Sequence, residues 1–192
     1  MQAIDQPLVV CAIAGSLRRA SYNRALLRAA KELAPAGMEI RIFEGIGALP
    51  LFDQDLEATG DPAPVRALRE AIDEADALLV ATPEYNHGVP GVLKNAIDWA
   101  SRPARGTVLA GKPTAIFGAS PGVTGTARAQ AQLRQTFVFT DTPVLPQPEV
   151  LVYRAQEKFD AEGRLTDERT REFIGKLLLG LAGWTRRLRA DG

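Results

Sequence analysis

A polar and cationic segment, GSLRRASYN at 15–23, stands between an apolar run and a stretch with helical spacing. A helix N-terminus offers free backbone N–H groups and a partial positive charge. Ser16, Ser21 and Asn23 add neutral donors there, and the planar guanidinium of Arg18 adds a cation suited to phosphate. The segment therefore predicts a phosphate site. Ordinary N-capping by Ser21, with solvated arginines, is the alternative, but it accounts for only one serine.

Two common nucleotide motifs are absent from this segment. It lacks the Gly-Lys-Ser/Thr ending of a Walker A loop, and it does not match the G-x-G-x-x-G dinucleotide fingerprint. The sequence therefore disfavours a nucleoside triphosphate site and a Rossmann-type dinucleotide site.

A second candidate segment, TPEYNHGVPGVLKNAIDWA at 82–100, follows another apolar run. Pro83 ends the run, and Glu84, Tyr85 and Asn86 come directly after it. Such a loop offers donors and acceptors to a flat polar ring, against which Tyr85 can pack. A rim position for Tyr85 and a turn-forming role for Asn86 are the alternatives. His87 is the sole histidine and lacks partners at ligand spacing, so we expect it to be exposed and predict no metal site.

A third segment, GASPG at 118–122, matches the G-x-S-x-G pattern of a hydrolase nucleophile elbow. The triad of that fold needs a histidine after the serine, whereas His87 precedes Ser120. We therefore interpret Ser120 as a hydroxyl donor in a third wall of the pocket. Gly122 and Gly125 would allow a close backbone approach there.

These segments must be held by the elements around them, which alternate between short apolar runs and longer runs of helical periodicity. Strands are predicted at 8–14, 38–43, 77–82, 113–119 and 144–152, the last interrupted by prolines. Helices are predicted at 23–34, 64–75, 90–100, 126–139 and 166–189, with a loop at 45–63.

Alternation of strands and helices predicts an α/β fold with a parallel sheet covered on both faces. Five strands and five helices indicate a flavodoxin-like doubly wound five-stranded sheet, in which ligands bind at the carboxyl ends of the strands. The three candidate loops, after the first, third and fourth strands, all belong to that edge.

Composition limits the remaining possibilities. The 192 residues suit a single domain over 1–192, and 23 basic against 23 acidic residues argue against nucleic-acid binding. Cys11, the sole cysteine, lies inside the first apolar run, where we expect a core residue rather than a reactive thiol. No signal peptide or membrane-spanning run is visible, so we expect a cytoplasmic protein that makes no membrane contact.

GSLRRASYN and the longer PEYNHGVPGVLKNAIDWASRP together resemble the signatures of the NADPH-dependent FMN reductase family, in particular its quinone and chromate reductase branch. GASPGVTGTARAQAQLRQ and PQPEV also resemble that branch, so the similarity covers most of the chain.

The resemblance implies a flavodoxin-like fold with noncovalent FMN. By position, it assigns the FMN phosphate to Ser16, Arg18, Ser21 and Asn23. It places Pro83, Glu84, Tyr85 and Asn86 along the isoalloxazine ring, with Ser120 nearby. The flavin carries the chemistry in such enzymes, so no side chain is given a catalytic role.

The resemblance also implies homodimers or homotetramers with flavin sites near the subunit contacts. In tetrameric members an arginine after the Ser-Pro-Gly loop meets a glutamate of another subunit; these positions match Arg128 and Glu149. Ala131 stands where the chromate-reductase branch can carry a tyrosine of that network.

The implied function is electron transfer from NADPH or NADH through bound FMN to a small-molecule acceptor. Quinones are the expected acceptors, with chromate, azo compounds and free flavin as side substrates. Two alternatives remain: a flavodoxin-like electron carrier without its own NAD(P)H oxidation, and a flavin-free protein that binds another phosphate. Carriers are typically acidic, so the net charge of +0 argues against the first.

Overall fold

Apolar runs form the strands of one parallel sheet in a computed structural model that describes residues 7–102 and 106–190. The strands are β1 (Leu8–Ala14), β2 (Met38–Phe43), β3 (Ala77–Ala81), β4 (Thr114–Ala119) and β5 (Val150–Val152). Their spatial order is β2-β1-β3-β4-β5, and each neighbouring pair is parallel. The predicted five-stranded flavodoxin-like fold is confirmed.

Helices follow the strands and cover both faces of the sheet. They are α1 (Tyr22–Glu32), α2 (Gln54–Ala58), α3 (Ala63–Asp73), α4 (Gly91–Ala100), α5 (Ala127–Phe139) and α6 (Glu168–Ala190). One core cluster joins the sheet to α1 and α6, and the other joins it to α3, α4 and α5. Because both faces are buried, the strands need no polar alternation, which explains their continuous apolar runs.

The chain changes direction across the sheet between β1 and β3. From β1 it moves outward to β2 and then crosses back to β3 on the other side of β1. Ala14 pairs with Ala81 at the ends of β1 and β3, so the loops that follow these two strands start at the same level. This is the switch point at which doubly wound sheets bind ligands.

The segment 45–63, predicted as a loop, contains a 3-10 helix at Gly45–Ala48 and the short α2. The prediction missed α2 because distant side chains hold this segment. The Trp99 indole N–H donates to the Pro50 carbonyl at 2.9 Å, and the Arg102 guanidinium pairs with Glu57 at 3.0 Å. Neither contact is visible in local periodicity.

β5 is shorter than the predicted strand at 144–152. Val144 forms only an isolated bridge with Thr114, and the Gln147–Pro148 peptide is cis. Regular pairing with β4 therefore begins at Val150.

Cys11 is a core residue, as predicted. Its side chain is buried in β1, and this burial raises the pKa of the thiol to about 12. The thiol is therefore protonated near neutral pH and is a poor nucleophile. No helix within the described ranges has the length and apolar character needed to cross a bilayer.

Candidate functional site

The loop after β1 ends in the N-cap of α1. The Ser21 hydroxyl oxygen accepts hydrogen bonds from the backbone N–H groups of Asn23 at 3.2 Å and Arg24 at 3.4 Å. Several further backbone N–H groups of this loop have no acceptor among the described residues: those of Leu17, Arg19, Ala20 and Tyr22. Unpaired N–H groups at a helix N-terminus are suited to an anion with several oxygens.

Ser16 and Arg18 lie in the same loop with few competing contacts. The Ser16 hydroxyl lies 3.4 Å from the Tyr85 hydroxyl and accepts a long bond from the Arg18 backbone N–H. Among the described residues, the exposed Arg18 side chain donates only to the nearby Ala20 carbonyl, at 3.2 Å. The Arg18 guanidinium could therefore pair with a bound anion without breaking a long-range contact.

The Asn23 side chain is engaged by the protein itself. Its side-chain N–H donates to the Ala119 carbonyl, and its side-chain oxygen accepts from the Ala119 N–H, both at 2.9 Å. The side chain is buried, so this pair ties α1 to the end of β4. Asn23 therefore fixes the loop after β1 relative to the loop after β4. Its side-chain amide makes both of these bonds, and its backbone takes no part in them.

Replacing Asn23 with alanine is expected to lower the free energy of unfolding by about 2 kcal/mol. Two buried hydrogen bonds disappear, and the N–H and carbonyl of Ala119 lose their partners. Chemical denaturation measures the loss. If Asn23 acts by positioning, the affinity for FMN and for riboflavin, which lacks the phosphate, falls by the same factor. A loss confined to FMN would instead make Asn23 a direct phosphate ligand.

The loop after β3 forms a tight turn. The Tyr85 and Gly88 backbones exchange hydrogen bonds, at 2.9 and 3.2 Å, around Asn86 and His87. Both central residues have positive φ, +50° and +63°, the pattern of a type I′ turn. Asparagine tolerates this conformation well, so the turn-forming interpretation of Asn86 holds. His87 is exposed, as expected.

Glu84 links this loop to α5. Its carboxylate accepts hydrogen bonds from the backbone N–H groups of Arg128 at 2.9 Å and Ala129 at 3.1 Å, and one oxygen lies 3.4 Å from the Arg128 guanidinium. Thr126, at the N-cap position, makes no side-chain capping bond and has φ of +72°. Glu84 thus caps α5 from another loop, and its carboxylate is engaged by that helix.

The loop after β4 is held by Ser120. Its N–H donates to Val152 at 2.9 Å, and its hydroxyl accepts from the Gly122 N–H at 3.1 Å. Within residues 7–102 and 106–190, no histidine hydrogen-bonds to Ser120, as a hydrolase triad would require. Nor do three His, Cys, Asp or Glu side chains in those ranges cluster as metal ligands would.

The three loops meet in one cleft at the carboxyl ends of β1, β3 and β4, called here the strand-end cleft. It is lined by Ser16, Arg18, Ser21, Tyr22, Asn23, Pro83, Glu84, Tyr85, Ala119, Ser120 and Pro121. The structure thus brings together the predicted site residues with the exception of Asn86, which lies in the adjoining turn. Tyr22, Ala119 and Pro121 were not predicted. All three lie inside the quoted segments, so their position in the sequence was an available signal.

Comparisons with known proteins agree with this geometry. The family model described as NADPH-dependent FMN reductase matches residues 8–157. An NAD(P)H-dependent FMN reductase of Pseudomonas aeruginosa is 54% identical over 97% of this chain and 100% of its own length. An NADPH:quinone oxidoreductase of Arabidopsis thaliana is 45% identical, with 98% of each chain covered.

One solved structure is similar throughout. FerB, a flavoenzyme NAD(P)H:acceptor oxidoreductase of Paracoccus denitrificans, superposes with a TM-score of 0.85 at 38% identity. The superposition covers 93% of this chain and 97% of that one.

Proposed function

The chain belongs to the NADPH-dependent FMN reductase family, and we propose that it is an FMN-dependent NAD(P)H oxidoreductase that reduces quinones and binds FMN in the strand-end cleft. The proposal rests on the convergence of three loops on one cleft, beside the unpaired backbone N–H groups at the start of α1.

The residues of the cleft fit FMN. The unpaired backbone N–H groups after β1, the hydroxyls of Ser16 and Ser21 and the guanidinium of Arg18 form a donor set for a phosphate dianion. Across the cleft, Pro83 and the backbone of Glu84 and Tyr85 offer an apolar edge and polar groups suited to a flat heterocycle. We assign the phosphate to the first set and the ring to the second.

When bound, FMN supplies the redox chemistry, accepting hydride from NADPH or NADH and passing the electrons to the acceptor. The protein binds and orients. The Glu84 bonds to α5 fix the backbone that lines the ring, and the Asn23 bonds to Ala119 fix the phosphate loop against β4. The half-exposed Tyr85 leaves the cleft open to solvent, which suits acceptors of varied shape, including quinones, chromate, azo compounds and free flavin.

The decisive experiment is anaerobic titration of the FMN-loaded protein. We expect NADPH or NADH to bleach the visible flavin absorption, and a benzoquinone to restore it without any partner protein. Protein that takes up no FMN would refute the flavin site. Protein that binds FMN but is bleached by neither nucleotide would instead support the electron-carrier alternative.

We further propose a cytoplasmic homodimer or homotetramer. Leu51, Val138 and Phe139 are large apolar side chains with 72 to 93% of their surface exposed, which favours contacts with another subunit. Arg128 retains half of its exposure while paired with Glu84, so it remains accessible to Glu149 of a neighbouring copy. Sedimentation equilibrium decides the assembly, and a single species of 20.7 kDa would contradict this proposal.

A further inference from the structure

A larger cleft adjoins the strand-end cleft on the side of α1 and α6. It has a volume of about 630 Å³ and is called here the arginine cleft. It is lined by Arg18, Arg19, Ala20, Ser21, Tyr22, Ala25, Arg28, Gln156, Phe159, Asp160, Ala161, Glu162 and Gly163. This volume lies within the range of nucleotide-sized ligand pockets.

The cations of the arginine cleft lack counter-charges. Within residues 7–102 and 106–190, Arg18, Arg19 and Arg28 form no ion pair. The two carboxylates that line the cleft, Asp160 and Glu162, both pair with Arg164, at 2.7 and 3.4 Å.

Hydrogen bonds from the backbone and side chain of Arg164 also lower the pKa of Asp160, so this carboxylate stays ionised with its partner. The cleft therefore carries a surplus of positive charge that no carboxylate of the described residues neutralises.

The three arginines come from one side of the cleft, and Arg28 reaches the other side. Arg18 and Arg19 lie in the loop before α1, whereas Arg28 lies in the second turn of α1 and reaches the hairpin closed by the Phe159–Leu165 bridge. A Cβ placed on Gly163 would lie 3.5 Å from Arg28 Nη2. Gly163 itself has φ of +76° in the turn that closes this hairpin. A phosphate between these walls would meet guanidinium groups from two directions.

Two aromatic side chains, Tyr22 and Phe159, line the arginine cleft. The Tyr22 and Phe159 rings pack with centroids 5.2 Å apart, and Tyr22 remains partly exposed. Arginines beside an accessible aromatic ring suit a ligand that combines a phosphate with a planar base. Inorganic phosphate would use only half of this surface.

The two clefts adjoin each other, because Arg18, Ser21 and Tyr22 line both of them. A group attached beyond the flavin phosphate would therefore lie next to the arginine cleft. Building on the proposed function, we propose that the arginine cleft binds an adenosine phosphate. Its two possible sources are the adenylate half of FAD and the adenosine 2′-phosphate end of NADPH.

Arg28→Ala tests this proposal in two binding titrations, with Lys31→Ala as the matched loss of a charge from α1. In the first, apoprotein is titrated with FMN and FAD, and flavin fluorescence is followed. In the second, FMN-loaded protein is titrated calorimetrically with adenosine 2′,5′-bisphosphate. Arg28 is exposed, and an unchanged unfolding midpoint confirms that the variant is folded.

We expect Arg28→Ala to weaken one adenosine ligand roughly tenfold, the effect of losing one charge-assisted contact, while FMN affinity and Lys31→Ala stay near wild type. A selective loss of FAD assigns the adenylate of a flavin, and a loss of the bisphosphate assigns NADPH. If Arg28→Ala causes no selective loss in either titration, this inference is overturned and the proposed function is unaffected. Failure of the wild type to bind FMN overturns the proposed function and this inference with it.

Discussion

Arg18→Ala is expected to yield a folded protein whose dissociation constant for FMN is roughly 10- to 100-fold higher than that of the wild type. A hydrogen bond to a charged group contributes about 1.5–3 kcal/mol, and each 1.4 kcal/mol changes affinity tenfold. Within the part of the chain that the structure describes, the Arg18 guanidinium donates only to the Ala20 carbonyl, so its removal disturbs no distant contact there. Fluorescence titration of the apoprotein measures the change.

Riboflavin separates loss of the phosphate contact from general damage to the site. It lacks the phosphate, so Arg18→Ala should leave riboflavin affinity unchanged while FMN affinity falls. Arg18→Lys should recover only part of the FMN affinity, because an ammonium group keeps the charge but not the planar fork.

Arg66→Ala is the matched control for this variant. Arg66 is another exposed arginine, and its guanidinium likewise donates to a nearby backbone carbonyl, that of Asp61. It lies on α3, away from the strand-end cleft, so FMN affinity should not change. FMN affinity within threefold of wild type for Arg18→Ala would remove Arg18 from the phosphate site.

The fold and the outline of the site follow from local patterns. Buried strands, helix periodicity and the placement of polar loops after β1, β3 and β4 were all readable in the sequence. Parallel topology then requires those loops to share one edge of the sheet. The shared cleft of Ser16, Ser21, Pro83 and Ser120 could therefore be predicted without knowledge of tertiary contacts.

The detailed roles of side chains were not readable, because they depend on partners far away in the chain. Asn23 bonds to Ala119, 96 residues later, and Glu84 caps a helix that begins 43 residues later. The polar side chains of both residues hold loops together in this structure, and their contacts with a ligand stay a prediction. α2 was missed for the same reason, since Trp99 on α4 and Arg102, just after α4, hold its segment.

The second large effect concerns Gly118, which sets the distance between two of these loops. A Cβ at this buried position would lie 2.2 Å from the Thr82 carbonyl oxygen and 2.2 Å from Thr126 Oγ1. Thr82 directly precedes the loop that lines the proposed ring site, and Thr126 directly precedes α5. Neither atom can yield easily, because one belongs to the backbone and the other accepts a buried hydrogen bond from Gln130.

Gly118→Ala is therefore expected to lower the free energy of unfolding by about 3 kcal/mol, the upper range for overpacking in a closed core. Thermal and chemical denaturation measure this loss. FMN affinity should fall as well, because relief of the clash must move the loop after β3 away from the loop after β4. Gly175→Ala, within α6, is the control, and its expected effect on stability has the opposite sign. A Cβ added at Gly175 would have no described atom of another element within 4 Å. Alanine should therefore stabilise the helix by about 0.5–1 kcal/mol.

The two measurements on Gly118→Ala together test how the cleft is built. Lost stability with normal FMN affinity would mean that the clash is relieved within the core and that the loop spacing does not shape the site. Wild-type stability would mean that the strands separate freely at this point, and the close approach of Thr82 and Thr126 would then fix nothing. Only a joint loss is consistent with a cleft whose width is set by the missing side chain at position 118, since the same displacement must weaken both the core and the flavin contacts.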